Sequence, residues 1–262
     1  MINFYIFVNF AKKPYRIFRR ILNLINKKLK LFYKKQIKYR GYNPPFGIYG
    51  EGMPHFANLI KKHTTLKVRN IFEIGANFGQ DADSLMKAFN LTADQIYVFE
   101  AHPELYQAIK KIHKFNAYNY AVFNEEKNMT FNIVPMNFHN NGISSIYNLP
   151  EAYKTKEVVL KSIRMDNFMR EYAIEKIDFL KLDVEGASYE VLEGFGNRLR
   201  DVNSMHIEAE HGPSHFHGAT KYFDVIEELL KNNGFEMLYF RRDDNSIQSD
   251  SFWVQKNILI NR

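Results

Sequence analysis

Three short segments gather the residue types that chemistry needs. The first reads Glu73-Ile74-Gly75-Ala76-Asn77-Phe78-Gly79. Gly75 and Gly79 let backbone approach a ligand closely, and Asn77 tolerates tight turn geometry. Glu100 stands twenty-one residues beyond Gly79, at the end of the next apolar run, where a carboxylate accepts both hydroxyls of a ribose. The second segment, residues 177–187, brings Asp183 and Glu185 out at the end of a strong apolar run, with Gly186 permitting the turn that follows. Two carboxylates there are costly unless solvated, paired or used, although Glu185 also suits an early helix position favoured by the dipole. The third is His206-Ile207-Glu208-Ala209-Glu210-His211. On a strand, His206, Glu208 and Glu210 share one face, while Ile207 and Ala209 share the other.

Charge selects the ligand of the first segment. Dinucleotides carry phosphates and meet glycine-rich N–H groups, often with a basic residue, whereas a sulfonium compound bearing an ammonium brings net positive charge. Between Glu73 and Glu100 the only basic residue is Lys87, so this edge is built for a cation. The four histidines and two glutamates between His206 and His217 include no established metal spacing such as H-E-x-x-H, so no metal site is assigned. His215 and His217 read as ordinary loop residues.

Such groups must sit at the carboxyl ends of strands in an open α/β sheet. The patterns predict strands at residues 71–74, 96–99, 119–123, 129–134, 177–182 and 205–209. Helices are expected at residues 80–89, 103–114 and 222–231, and another begins at residues 188–192. Residues 235–240 and 252–256 close the chain as a hairpin. Alternating units with a final hairpin imply an α/β fold: a doubly wound, mostly parallel sheet with one antiparallel strand.

Composition bounds the rest. A chain of 262 residues, 45% apolar and 25% charged, suits one full α/β domain with an extension. The absence of cysteine excludes disulfides, thiolate metal sites and cysteine nucleophiles. Residues 1–40 hold twelve Lys or Arg and no acid, whereas the remaining 222 hold twenty-four basic against twenty-nine acidic residues. An anionic partner therefore belongs to the front segment, and a general nucleic-acid surface on the body is disfavoured. Phe18, Ile21, Leu22, Ile25, Leu29 and Phe32 recur at helical spacing among the basic residues, which predicts a basic amphipathic helix able to lie on an anionic membrane surface. The apolar residues 1–11 are too short a run to span a bilayer. Residues 41–54, with four Gly and three Pro, form a connector. The division expected is residues 1–54 as extension and connector and residues 55–262 as the catalytic domain.

The chain resembles the FkbM family of methyltransferases. The likeness is carried by residues 72–79, by Val98-Phe99-Glu100-Ala101-His102-Pro103, and most specifically by Leu180-Lys181-Leu182-Asp183-Val184-Glu185-Gly186. Asn119-Tyr120-Ala121-Val122, Ser144-Ser145 and residues 164–168 agree with it, and the likeness spans roughly residues 68–240. Glu73 replaces a commoner Asp and keeps the charge. The resemblance implies a seven-stranded, Rossmann-like class I methyltransferase sheet, S-adenosyl-L-methionine as donor, and mostly O-methylation with sugars among the acceptors. Carried over by position, Glu73, Gly75, Asn77 and Gly79 surround the methionine part of the donor. Glu100, with Ala101 beside it, meets the ribose, and Asn119, Ala121 and Val122 form the adenine edge. Asp183 lies near the donor's amino group or the acceptor.

Methyl transfer to a hydroxyl needs alignment and removal of one proton. The base candidates are Asp183 and His211, followed by Glu185 and Glu208; a carboxylate needs a raised pKa or a metal-bound acceptor to serve. The leading expectation is O-methylation of a saccharide or glycolipid precursor, in the cytoplasm at the inner face of the membrane. RNA methylation with the basic segment as a phosphate-binding arm, and a non-catalytic dinucleotide-binding module, are the alternatives. The loops at residues 135–156 and 212–220 are expected to form the acceptor pocket.

Overall fold

Strand alternation sorts the apolar residues onto two faces of one sheet, and helices cover both. A computed structural model describes residues 52–136, 142–213, 216–242 and 246–260. The basic helix expected within residues 14–34, nearly all of the connector, and His215 lie outside the described residues.

The main sheet contains β1 (Ile71–Ile74), β2 (Ile96–Phe99), β3 (Asn116–Tyr118), β7 (Phe179–Leu182), β8 (Ser204–Glu210), β9 (Phe235–Arg241) and β10 (Gln248–Gln255). Its seven strands run in the order β3-β2-β1-β7-β8-β10-β9. All pairs from β3 to β8 are parallel, and β10 is antiparallel to both neighbours. The order reverses between β1 and β7, so the carboxyl ends of β1, β2, β7 and β8 border the crevice where ligands of such sheets bind. A second, three-stranded sheet, β4 (Ala121–Val122), β5 (Asn128–Ile133) and β6 (Lys156–Ile163), runs in the order β4-β6-β5.

On one face, helices α1 (Met53–His63) and α2 (Gln80–Phe89), with Ile109 of α3 (Pro103–Ile112), pack against Ile71, Ile96, Val98, Phe179 and Phe252. On the other, α4 (Met165–Glu171), α5 (Ser188–Glu193) and α6 (Phe223–Asn232) cover Phe72, Ile74, Leu180, Leu182, Ile207 and Trp253. Neighbours such as Ile71 and Phe72, or Phe179 and Leu180, thus point to opposite cores, as the pleat requires. In α1 the buried Met53, Phe56, Ala57 and Ile60 recur at helical spacing, and Lys61, Lys62 and His63 complement the carboxyl-terminal dipole. No helix among the described residues is long and apolar enough to cross a membrane.

Four expectations are corrected. The strand expected at residues 119–123 shrinks to β4, Ala121–Val122, and β3 ends just before it at Tyr118, because Asn119 is where the chain leaves the main sheet for the small one. Residues 103–114 form a helix only to Ile112, with His113 as its extended C-cap. The last strand starts at Gln248, since its polar half pairs with residues 207–210 of β8. α1, β3, β6 and α4 stand outside the expected elements; β6 holds Val159 71% exposed, so its apolar run has no clean alternation to read.

Candidate active site

The turn after β1 is fixed by close backbone approach. Gly75 has φ +82°, and a Cβ there would lie 1.7 Å from the Asp183 carbonyl oxygen, so only glycine fits between the β1 and β7 ends. The Gly75 N–H donates to the Phe99 carbonyl at 3.0 Å, holding the turn beside β2. Asn77 adopts a left-handed conformation, φ 52°, which aims its N–H at Glu100 Oε2, 2.6 Å away.

Glu100 closes this corner. Its Oε1 accepts the His102 N–H at 2.8 Å, so backbone N–H groups from two loops hold the carboxylate. The residue is 6% exposed, and burial pushes its pKa up to about 7 against the pull of those two N–H groups. His102 caps α3: its Nδ1 accepts the Glu104 N–H, which leaves the proton on Nε2 to donate to the Val134 carbonyl. Burial lowers the His102 pKa.

Asn119 serves the same corner from behind. Its side-chain N–H₂ donates to the carbonyls of Glu100 (2.8 Å) and Ala101 (3.0 Å), so these donors brace the rim. Ala121 and Val122 are buried in β4. Gly79 has φ +73° and N-caps α2.

Glu73 is placed differently from expectation. It is 0% exposed, lies beneath the turn, and accepts the Ala82 N–H of α2 at 3.1 Å. Parallel pairing of β1 with β7 sets Glu73 in register with Lys181, whose Nζ lies 3.8 Å from Glu73 Oε1, 3.3 Å from Asp81 Oδ2 and 2.9 Å from Asp183 Oδ2. Burial, only partly offset by Lys181, holds the Glu73 carboxyl well above the usual range. Glu73 therefore supports the turn from within and presents no surface to a ligand.

Across the crevice stand Asp183, Glu185 and Glu208, with one oxygen of each within 4.8 Å of the others. They are close enough to repel one another and to surround a hard cation. Glu185 has φ 53°, and its carbonyl accepts the Ser145 hydroxyl at 2.7 Å. Repulsion from Asp183, then burial, then Glu185 raise the Glu208 pKa well above normal. Gln248 on β10 donates to Glu208 Oε1 at 2.9 Å and reaches Glu210 Oε1 at 3.4 Å, and burial pushes Glu210 up to about 7. Beyond Glu210, the Tyr147 hydroxyl donates to Glu190 at 3.1 Å.

His211 is not brought into this group. One position past Glu210, it turns to the opposite sheet face, where its ring stacks on Phe223 and its Nε2 meets the Ser249 hydroxyl at 2.8 Å. His206, on the carboxylate side, pairs through Nε2 with Asp250 at 2.9 Å and packs on Phe56. Gln248 is a site residue outside every motif of the sequence, and Lys181 and Ser145 stand in motifs that carry the family likeness without being assigned a role there. Lys181 left a further signal: it is a charge inside a strand whose neighbours are all apolar.

A seven-stranded sheet in the order β3-β2-β1-β7-β8-β10-β9, with antiparallel β10 inserted beside β8, a glycine turn after β1 and a buried carboxylate after β2, has the class I methyltransferase arrangement. The family described as the Methyltransferase FkbM domain matches residues 73–237, and the chain belongs to that family. Similar solved structures include Methyltransferase FkbM from Methylobacillus flagellatus KT (10% identity, 78% of this chain and 48% of that one, TM-score 0.49). Another is magnesium protoporphyrin IX methyltransferase (ChlM) from Synechocystis PCC 6803 with bound SAM (12% identity, 87% and 97%, TM-score 0.42). This chain spans about half the length of the Methylobacillus protein. No curated protein sequence matches it.

Proposed function

We propose that this methyltransferase moves the methyl group of S-adenosyl-L-methionine onto a hydroxyl of a saccharide or glycolipid precursor. The observation that carries the reading is Glu100: a buried carboxylate held by two backbone N–H groups beside the glycine turn, with its remaining lone pairs free for ribose hydroxyls. The residues fit the donor in a second respect. Asn77 Oδ1 is buried without a hydrogen-bond partner, an acceptor awaiting a donor such as an ammonium N–H. Carboxylates crowd the crevice, and this suits a cation better than a dinucleotide's phosphates.

When bound, the sulfonium compound supplies the activated methyl. Glu100 would hold the ribose, Asn77 and Asp183 would hold the ammonium, and Glu208 would take the acceptor proton. Glu208 suits that task because its neighbours raise its proton affinity toward that of a useful base, while Gln248 fixes its orientation. A sugar acceptor is supported by the polar groups beyond Glu208: Gln248, Glu210, Tyr147 and Glu190 offer both donors and acceptors to a polyhydroxy ligand. The basic residues 1–40 would keep the enzyme at the inner membrane face, where lipid-linked sugars are assembled.

The test is calorimetry with S-adenosylmethionine and S-adenosylhomocysteine, followed by mass spectrometry of surface glycans from cells with and without the protein. Binding of both compounds and loss of one methylene increment from a glycan are expected. Folded protein that takes up neither compound refutes the reading.

A further inference from the structure

Lys181 is the cation on which the crevice turns. It lies in the middle of β7, its side chain 5% exposed, with Phe179 and Leu182 of the same strand wholly buried. A buried ammonium needs partners, and Glu73 and Asp81, with side chains 0% and 4% exposed, supply them from β1 and α2. The shortest of these three carboxylate contacts nevertheless goes outward. Asp183 Oδ2 lies 2.9 Å from Nζ, against 3.3 Å and 3.8 Å for the inner pair, and Asp183 is the one member with a side chain partly in solvent, at 28%.

Geometry explains what that contact does. Lys181 and Asp183 are two residues apart, so both project to the α2 face at the strand's end. Asp183 is held twice: its N–H donates to the Ile74 carbonyl at 3.1 Å, and Oδ2 accepts from Lys181. One carboxylate oxygen is thereby tied inward by a charge-assisted bond, while the side chain keeps 28% of its surface in solvent and lies beside Glu185 and Glu208.

We propose that Lys181 is a positioning residue: by tying Asp183 Oδ2 to the core, it presents Oδ1 to the ammonium of the methyl donor. This rests on the reading above that Asp183 meets that ammonium. The Lys181 ammonium makes no step of its own. It converts a rotatable rim carboxylate into a fixed acceptor, the preorganisation that binding sites need.

The experiment is a double-mutant cycle on the full chain. Isothermal titration calorimetry measures S-adenosylhomocysteine affinity for wild type, Lys181→Met, Asp183→Asn and the double variant, alongside thermal melting. Each single substitution is expected to weaken binding about tenfold, the worth of one hydrogen bond to a charged group, and the double variant to be no weaker than either. Multiplying effects show that Lys181 acts independently of Asp183 and overturn the proposal. An Asp183→Asn loss with unchanged Lys181→Met affinity overturns it alone. Unchanged Asp183→Asn affinity, with Glu100→Gln weakened, removes Asp183 from the donor site and the proposal with it, while the donor site stands.

Loss of Lys181 strands two buried carboxylates and can unfold the chain. Lys181→Met combined with Asp81→Asn removes one charge of each sign and serves as the compensated variant. Weak donor binding in that folded variant supports positioning, and wild-type binding refutes it.

Discussion

Donor affinity should rise with pH through neutrality, because Glu100 must ionise to accept two ribose hydroxyls. Burial raises its pKa to about 7, with Asp183 adding to the rise and Lys181 opposing it. In the free protein the carboxyl is then ionised to about one part in ten at pH 6 and about nine in ten at pH 8. A ligand that takes only the ionised form sees its apparent affinity scaled by that fraction, so the dissociation constant should fall about tenfold across this range. Complex formation below about pH 7 should also release a proton. The assay is calorimetry with S-adenosylhomocysteine at several pH values, in two buffers of different ionisation enthalpy. Glu100→Gln should abolish the slope and the proton release. It should also weaken binding at pH 8, because the amide turns an N–H₂ toward one of the two N–H donors that now hold the carboxylate. A flat profile in the wild type, or the same slope in the Gln variant, would refute the reasoning. Stability carries the opposite sign. The folded free protein holds the Glu100 proton more tightly than the unfolded chain, so this group's contribution is full at acid pH and is lost as pH rises to about 7.

Four further outcomes follow from the same geometry. Glu208→Gln should cut methyl transfer into a glycolipid extract about 10²–10⁴-fold while leaving S-adenosylhomocysteine affinity within about threefold; undiminished transfer removes Glu208 as base. His211→Ala should leave transfer nearly unchanged and lower stability by about 1–2 kcal/mol, through the lost stack on Phe223 and the bond to Ser249, as urea unfolding can measure. Glu73 is buried with its pKa raised, so its contribution likewise fades as pH rises above the ordinary carboxylate range. Glu73→Gln should flatten that part of the stability profile, and an unaltered profile would show the carboxyl to be ionised in the fold. Gly75→Ala should cost roughly 3 kcal/mol or more, because φ is +82° and the new methyl meets the Asp183 carbonyl; a melting temperature near wild type would be inconsistent with the close approach of β1 and β7.

Much of the sheet was legible because its signals are local. β1, β2 and α2 were marked by apolar runs and glycine punctuation, and the structure keeps their expected bounds. β6 escaped because its outer residues, Val159 among them, face water, so no period-two pattern marks it. The family resemblance assigns Asn119 to the adenine edge of the methyl donor. Its side-chain N–H₂ is spent on the Glu100 and Ala101 carbonyls, a bracing role that nothing in one sequence separates from contact with a ligand. The placement of His211 could have been foreseen, since a strand face containing Glu208 and Glu210 cannot also contain the residue after Glu210.

Electrostatics was the harder part, and Lys181 shows why. Counting bases between Glu73 and Glu100 yields one exposed lysine and suggests a purely acidic rim. Parallel pairing then delivers a cation from 108 residues away into register with Glu73. That cation opposes the pKa rise of Glu73, Glu100 and Glu208 and helps lower that of Asp250. The charge of a sheet-end site is therefore a property of neighbouring strands and not of any segment along the chain. With the lysine buried at its inner end and three carboxylates at its outer end, the crevice grades from neutralised to negative. On the proposed reading a donor ammonium and sulfonium would lie in the negative part, and loss of the sulfonium charge on transfer would weaken that attraction.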